Sequence, residues 1–361
     1  MNIKKLISIL PGIFLALSLY LLSDGINNVI GIEILGLEKS PISTVMIAIL
    51  LGIIMSNAFI PRPGFQIGLE FTQKYILKFG IICLGIRLSF DEFIKFGIIA
   101  VPLIIVCIVS VLVVIKILIK KFQISSKMSY LIAIGTSVCG ATAIVATAPI
   151  INAKKGEVAY AIANITLFGV FTMLVYPYFA NIYFEGNSLF AGLFLGTAIH
   201  ETSQVAAAGL IYDQQFNSPE TLNIATVTKL IRNTFLVIMI PLFGYLYNRG
   251  KTRTRKVSIL NIFPYFVLGF IAMIIIRNVG DNFVVSQNFN DLYWNNIILY
   301  IKKSASISLT MAMAAVGMST NLSELKSMGY KPFVVGLIAA ITVGLVSVIT
   351  MQSFEKITLL L

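Results

Sequence analysis

The sequence predicts an all-α polytopic membrane protein, and three observations carry that prediction. Hydrophobic residues fill 58% of the 361 positions while charged residues fill only 12%. Mean hydropathy is +0.93, well outside what a soluble domain shows. Apolar stretches long enough to cross a bilayer recur from one end of the chain to the other.

The first stretch, residues 6–22, follows Lys4 and Lys5 and resembles a signal peptide. No small-residue cleavage pattern follows Leu22 and further spans come at once, so it reads as a retained first helix. Clear apolar stretches then occupy 42–60, 96–115, 158–180, 233–247, 259–276 and 333–350. Less regular ones, interrupted by glycine, hydroxyl and charged residues, lie at 75–90, 128–150, 188–212 and 297–318. At roughly 20 residues per crossing the expectation is about nine to eleven membrane segments. Residues 1–361 read as one integral membrane domain, with core segments at about 75–150 and 188–247 and a C-terminal hairpin at about 297–352.

Twenty-seven Lys and Arg against 15 Asp and Glu give a formal charge of +12. In a soluble protein that would suggest nucleic acid. Here the basic residues sit in short connections and read as topology signals. Lys4, Lys5, Arg62, Lys74, Lys78, Lys116, Lys120, Lys121 and Lys127, and above all Arg249, Lys251, Arg253, Arg255 and Lys256, mark cytoplasmic connections. Asp24, Glu33, Glu38, Glu185, Asp213, Glu220, Asp281 and Asp291 fall on the opposite side. The expected location is the cell membrane, multi-pass, with a cytoplasmic N-terminus and anionic lipid around the basic loops. Cys83, Cys107 and Cys139 lie in apolar segments without paired spacing, which points to packing rather than to a disulfide framework or a metal site.

One short phrase occurs twice, as GTSVCGATAIVATA from Gly135 and GTAIHETSQVAAAG from Gly196. Glycine and hydroxyl residues at membrane depth loosen a helix, which is tolerated only where the backbone lines a cavity or is covered by protein. A duplicated break of this kind is the best sequence pointer to a transporter's binding site. If both copies cross fully, Lys154 and Lys155 fall outside and Glu185 inside. If both dip in and return, all three obey the charge rule, so the charges favour broken or re-entrant segments. One full helix separates the copies, which therefore enter from opposite faces as inverted-topology repeats. A second self-similarity, Gly85, Glu92 and Gly97 against Gly317, Glu324 and Gly329, points the same way.

The first copy offers Gly135, Thr136, Ser137, Cys139, Gly140 and Thr142, the second Thr197, His200, Glu201, Thr202, Ser203 and Gln204. Half-helix N-termini at depth direct free N–H groups and positive dipole ends at a cavity, which suits an anion. Close helix packing by small residues is the bland alternative for the first copy. It explains the second copy poorly, because a carboxylate at membrane depth marks a pathway, a relay or an ion pair. Glu201 and the chain's one histidine, His200, are the expected coupling residues, although His200 can equally be a structural hydrogen-bonder. Lys229 and Arg232 in TVTKLIRNTF, three apart, share a helix face. They form the basic half of the site or snorkel at a helix end.

The phrase GTSVCGATAI, then AIHE, then KLIR leading a helix resembles the YeiH-type bacterial inner-membrane proteins, a family labelled as sulfate exporters. The resemblance runs from about the second helix to the C-terminus. It implies a relative of the cation/proton antiporter and anion transporter group, with inverted repeats and broken helices. It carries over to Gly135 through Ala143, His200 with Glu201, and Lys229 with Arg232.

The expected function is a secondary transporter that exports or exchanges a small anion, sulfate or a related sulfur oxyanion, by alternating access coupled to H+ or Na+. A cation/proton antiporter is the alternative, with a passive channel and an intramembrane enzyme ranked below it. HETSQ starts like a zinc-protease motif, but its fifth position is Gln204 and no second histidine exists. No P-loop is present either, so neither an enzyme nor ATP drive is expected. The expected partners are a small anionic substrate, H+ or Na+, membrane lipid and a second copy in a homodimer. Cofactors, metals and nucleic acid are not among them.

Overall fold

The computed structural model describes residues 3–37, 40–58, 63–122, 125–248, 263–287, 291–320 and 330–360. Among these the chain is helical throughout, without a strand. In chain order the helices are α1 (Ile3–Asn28), α2 (Thr44–Ala58), α3 (Pro63–Phe71), α4 (Leu77–Leu84), α5 (Phe90–Phe122), α6 (Ser126–Ile134), α7 (Gly140–Thr147) and α8 (Lys155–Tyr183). They continue with α9 (Ser188–Ala198), α10 (Thr202–Phe216), α11 (Pro219–Thr234), α12 (Leu236–Asn248), α13 (Phe266–Gln287), α14 (Asp291–Met318) and α15 (Tyr330–Leu360). Eight stretches are long and apolar enough to cross a membrane, and the shorter apolar helices α2 and α9 add to them. The protein is a polytopic, all-α membrane protein.

The largest departure from the apolar-stretch reading is α11, which begins at Pro219 rather than near 233. Its first half, PETLNIATVTKLIR, is polar enough to hide it. Thr226, Thr228, Lys229, Arg232 and Asn233 are all buried within protein rather than facing lipid. The strongest topology signal, residues 249–256, lies outside the described residues, as do Arg62, Glu38, Glu324 and Gly329, the last two being two of the three residues in the second trio of the second self-similarity. Cys83, Cys107 and Cys139 are free and buried.

The chain divides into two compact units. The first comprises Met1–Ile94, Gly209–Asn223 and Tyr265–Ser323. Its core joins Ala16 and Leu19 of α1, Ala48 of α2, Leu69 of α3 and Met311, Ala314, Ala315 and Met318 of α14. Small residues let the backbones close up there. A Cβ on Gly52 would lie 2.5 Å from the Ala314 carbonyl oxygen, and one on Gly317 3.1 Å from Gly52 Cα. Such glycine crossings hold membrane helices together by dispersion, since lipid supplies no hydrophobic drive between them.

The second unit comprises Lys95–Ala208, Ile224–Pro264 and Glu324–Leu361. Its rod is α8, 29 residues long and so about 43 Å, enough to cross a bilayer. Helices α6, α7, α9 and α15 pack on it. Ser125 caps α6 by accepting from the Met128 N–H, while the Glu157 carboxylate accepts from the Lys154 N–H at the start of α8. Asn187 caps α9 by accepting from the Leu189 and Phe190 N–H groups.

Two further bonds fix the path of the first Gly-Thr segment. Ser125 Oγ, before α6, donates to Glu157 Oε1 at 2.7 Å, and Lys127 Nζ donates to the Asn152 carbonyl at 2.6 Å. The beginning of α6 and the end of α7 therefore meet at the same end of α8. By length and composition Ser126–Thr147 could span a membrane, but these bonds fold it back on itself as a hairpin. The second Gly-Thr segment starts at the other end of α8, so the two copies enter from opposite ends of that rod.

Replacing Gly52 or Gly317 by leucine should separate α2 from α14 at a cost of roughly 1–3 kcal/mol. The thermal unfolding midpoint in detergent should fall for both variants and stay unchanged for Gly25→Leu, a position with open space around it.

Candidate functional site

Both repeats break at the same place in the phrase. In the first, a π-helical turn over Gly135–Cys139 ends in Cys139 at φ −148°, ψ 63° and Gly140 at φ +39°, ψ −129°, after which α7 starts. In the second, α9 stops at Ala198 and α10 resumes at Thr202. With the constant shift of 61 positions, Thr136 matches Thr197, Val138 matches Ile199, Cys139 matches His200 and Gly140 matches Glu201.

A helix that stops inside a protein leaves its last carbonyls without intrahelical partners, and here two helices stop side by side. Lys229 and Arg232, one turn apart on α11, satisfy both sets. Lys229 Nζ donates to Val138 O at 3.1 Å, to Ile199 O at 3.0 Å and to His200 O. Arg232 Nε donates to Ser137 O at 2.9 Å, and its Nη1 donates to Thr197 O at 2.5 Å and Ile199 O at 3.2 Å. Arg232 Nη2 donates to Thr136 O. Each cation thus bridges equivalent carbonyls of the two repeats, Val138 with Ile199 for Lys229 and Thr136 with Thr197 for Arg232. A cation at a helix C-terminus also meets the negative end of the dipole.

Both cations are fully buried, at 0% exposure. Among the described residues neither lies within ion-pair distance of a carboxylate; the ion pairs found there are Arg87 with Asp213 and Arg277 with Asp281, both in the first unit. Glu201 is only half-buried. It turns toward the other repeat, where its Oε1 accepts from the Ala141 N–H at 2.9 Å. Gly140 makes the room, since a Cβ there would lie 2.7 Å from Glu201 Oε1 and its positive φ is itself a glycine conformation. Glu201 caps α7, and although no ion pair joins it to Lys229, the two charges interact across the crossing.

The other expected site residues divide clearly. Cys139 Sγ lies 3.6 Å from Thr202 Oγ1, and Thr202 Oγ1 also accepts from Asn233 Nδ2 at 2.9 Å. Gln204 Oε1 accepts from the Glu201 N–H at 3.2 Å, and its Nε2 donates to the Thr166 carbonyl on α8 at 3.4 Å. The Thr197 hydroxyl is engaged with Leu193 O and Ser347 Oγ, and the Ser137 hydroxyl with Ile134 O, so these two contribute to the crossing through their carbonyls. Gly135 serves packing, since a Cβ there would strike Ile165 and Ile144. Thr142 is exposed and stands apart from the crossing. Thr136 Oγ1 and His200 Nδ1 are buried there without a partner among the described residues.

Asn233 and Ser347 join the site without having been singled out. Asn233 was findable, because it follows Arg232 directly and lies four residues after Lys229 on the same buried face. Ser347 gave no signal beyond being a lone hydroxyl in an apolar run.

Removing either cation strands buried carbonyls, each at about 1–3 kcal/mol. Lys229→Met and Arg232→Met should therefore lower the yield of monodisperse protein and its thermal midpoint sharply. Arg232→Lys, which keeps the charge but not the fork, should fall in between, and Thr142→Ala should match the parent. Size-exclusion profiles with thermal unfolding read all four.

Residues 14–336 match the family described as conserved hypothetical protein 698. A UPF0324 membrane protein of Streptococcus agalactiae is 37% identical over 322 residues, covering 89% of this chain and 92% of the relative. One from Fusobacterium nucleatum is 35% identical over 318 residues, covering 86% and 90%. One from Clostridium tetani is 29% identical over 360 residues, covering 96% and 97%. With so much of each chain shared, this protein belongs to that family, the YeiH-type multi-pass membrane proteins.

Proposed function

We propose that this protein is a secondary transporter of small anions in the bacterial cell membrane, with its N-terminus in the cytoplasm, exchanging or exporting a sulfur oxyanion such as sulfate by alternating access coupled to H+ or Na+. One observation carries the reading: two fully buried cations stand at the crossing of two broken helices with a single carboxylate near them. Buried charge without a counter-charge is costly. Carbonyl dipoles offset part of that cost, and a bound anion would offset the rest. Lys229 acts through its field rather than by touching the anion, because its three N–H groups already hold carbonyls, whereas Arg232 commits four of its five and keeps one Nη2 donor. Polar contacts would come from Cys139, Thr202, Gln204, Asn233 and the N-terminal amides of α7 and α10.

A second reading, cation/proton antiport, is favoured by one feature. Lys229 commits all three of its N–H donors to carbonyls, and the charged group at the crossing that is only half-buried is a carboxylate, Glu201. A cation would then bind at Glu201.

Proteoliposomes separate the two. Imposed proton or sodium gradients should drive accumulation of labelled sulfate, sulfite or a small sulfonate, and Glu201→Gln should uncouple that accumulation from the gradient. Sodium/proton exchange with no flux of any of these anions would replace the anion reading by the cation one.

A further inference from the structure

Glu201 stands where an anion would stand. The first N–H groups of a helix have no intrahelical acceptor, and at α7 the Ala141 N–H is met by Glu201 Oε1 at 2.9 Å. A purely structural cap needs only a short neutral acceptor, such as Asn, Ser or Thr. A carboxylate at membrane depth is a far more expensive way to do the same work.

The repeat makes the arrangement one-sided. The second copy sends its carboxylate into the first, but the position equivalent to Glu201 in the first copy is Gly140, which sends nothing back. The one member of the charged trio that is not sealed is Glu201, half-buried, while Lys229 and Arg232 are at 0% exposure. If Glu201 swung away with nothing in its place, two buried cations would face an empty cap. Thr136 Oγ1 and His200 Nδ1, buried at the same crossing and unpartnered among the described residues, are further polar atoms available to an incoming group.

Resting on the anion reading above, we propose that the Glu201 carboxylate is a tethered stand-in for the transported oxyanion. The oxyanion takes the Ala141 N–H and the N-terminus of α7. The displaced carboxylate takes one proton from solution, because two anions side by side cannot both stay charged in a medium of low dielectric. Each anion bound thus brings one proton, and the coupling stoichiometry is set by a single side chain. The charged and titratable groups around Glu201 are Lys229 and Arg232 from α11, Cys139 from the first break and His200 beside it in its own segment.

The test uses the purified full-length chain in detergent and weak buffer, titrated with sulfate, sulfite and methanesulfonate across a range of pH. Thermal stabilisation reports binding, and a pH electrode reports protons. Expected for the parent protein is uptake of about one proton per anion, with affinity falling up to tenfold per pH unit as pH rises. Glu201→Gln should bind the same anion without proton uptake and with a flat pH profile, and Glu201→Asp should restore the slope. Anion binding to the parent with no proton uptake, or uptake retained in Glu201→Gln, overturns the stand-in role and leaves the anion reading intact. Failure of all three anions to stabilise the parent at any pH overturns both. Should Glu201→Gln not fold, the proton count on the parent protein decides alone.

Discussion

Two side chains on one helix hold six backbone carbonyls from two others, and the rest of the second unit is arranged around that fact. A broken helix inside a membrane protein is unstable until its free backbone groups find partners. Lys229 and Arg232 provide them for both breaks at once, which ties α6, α9 and α11 into one node. The charge on these residues is what makes the bonds strong enough to hold. The same charge makes the node electrically incomplete. Structure and chemistry thus share one pair of side chains, and neither can be altered without disturbing the other.

The two copies of the phrase are alike in backbone and unlike in charge. Matching breaks and matching carbonyls give the node an approximate internal symmetry. Glu201 and His200 on one side against Gly140 and Cys139 on the other remove that symmetry where chemistry would occur. A symmetric frame with an asymmetric charge is suited to presenting one ligand position from two directions.

Much of this was legible in the sequence, and the illegible parts have identifiable causes. The membrane class followed from hydropathy, and the breaks from the duplicated glycine and hydroxyl residues. Lys154, Lys155 and Glu185 favoured broken or re-entrant segments, and in the structure the Ser125–Glu157 and Lys127–Asn152 bonds close the first copy into a hairpin. The first half of α11 was hidden because hydropathy measures affinity for lipid, whereas Thr226, Thr228 and Asn233 are covered by protein. The carbonyl partners of Lys229 and Arg232 were illegible for a different reason. Spacing shows that two cations share a face but not that backbone carbonyls 29 to 96 positions away will meet them. The role of Gly140 as the notch for Glu201 was equally invisible, because it is a relation between two residues 61 positions apart.

The hairpin carries a consequence for how the chain is made. Helices α6 and α7 emerge from the ribosome roughly 90 residues before Arg232, whose guanidinium holds Thr136 and Ser137. Until then the tip of the hairpin has bare carbonyls that hydrocarbon cannot solvate. Those carbonyls therefore need water or another donor until α11 is in place. Assembly order is written into the distance between a glycine break and the arginine that closes it.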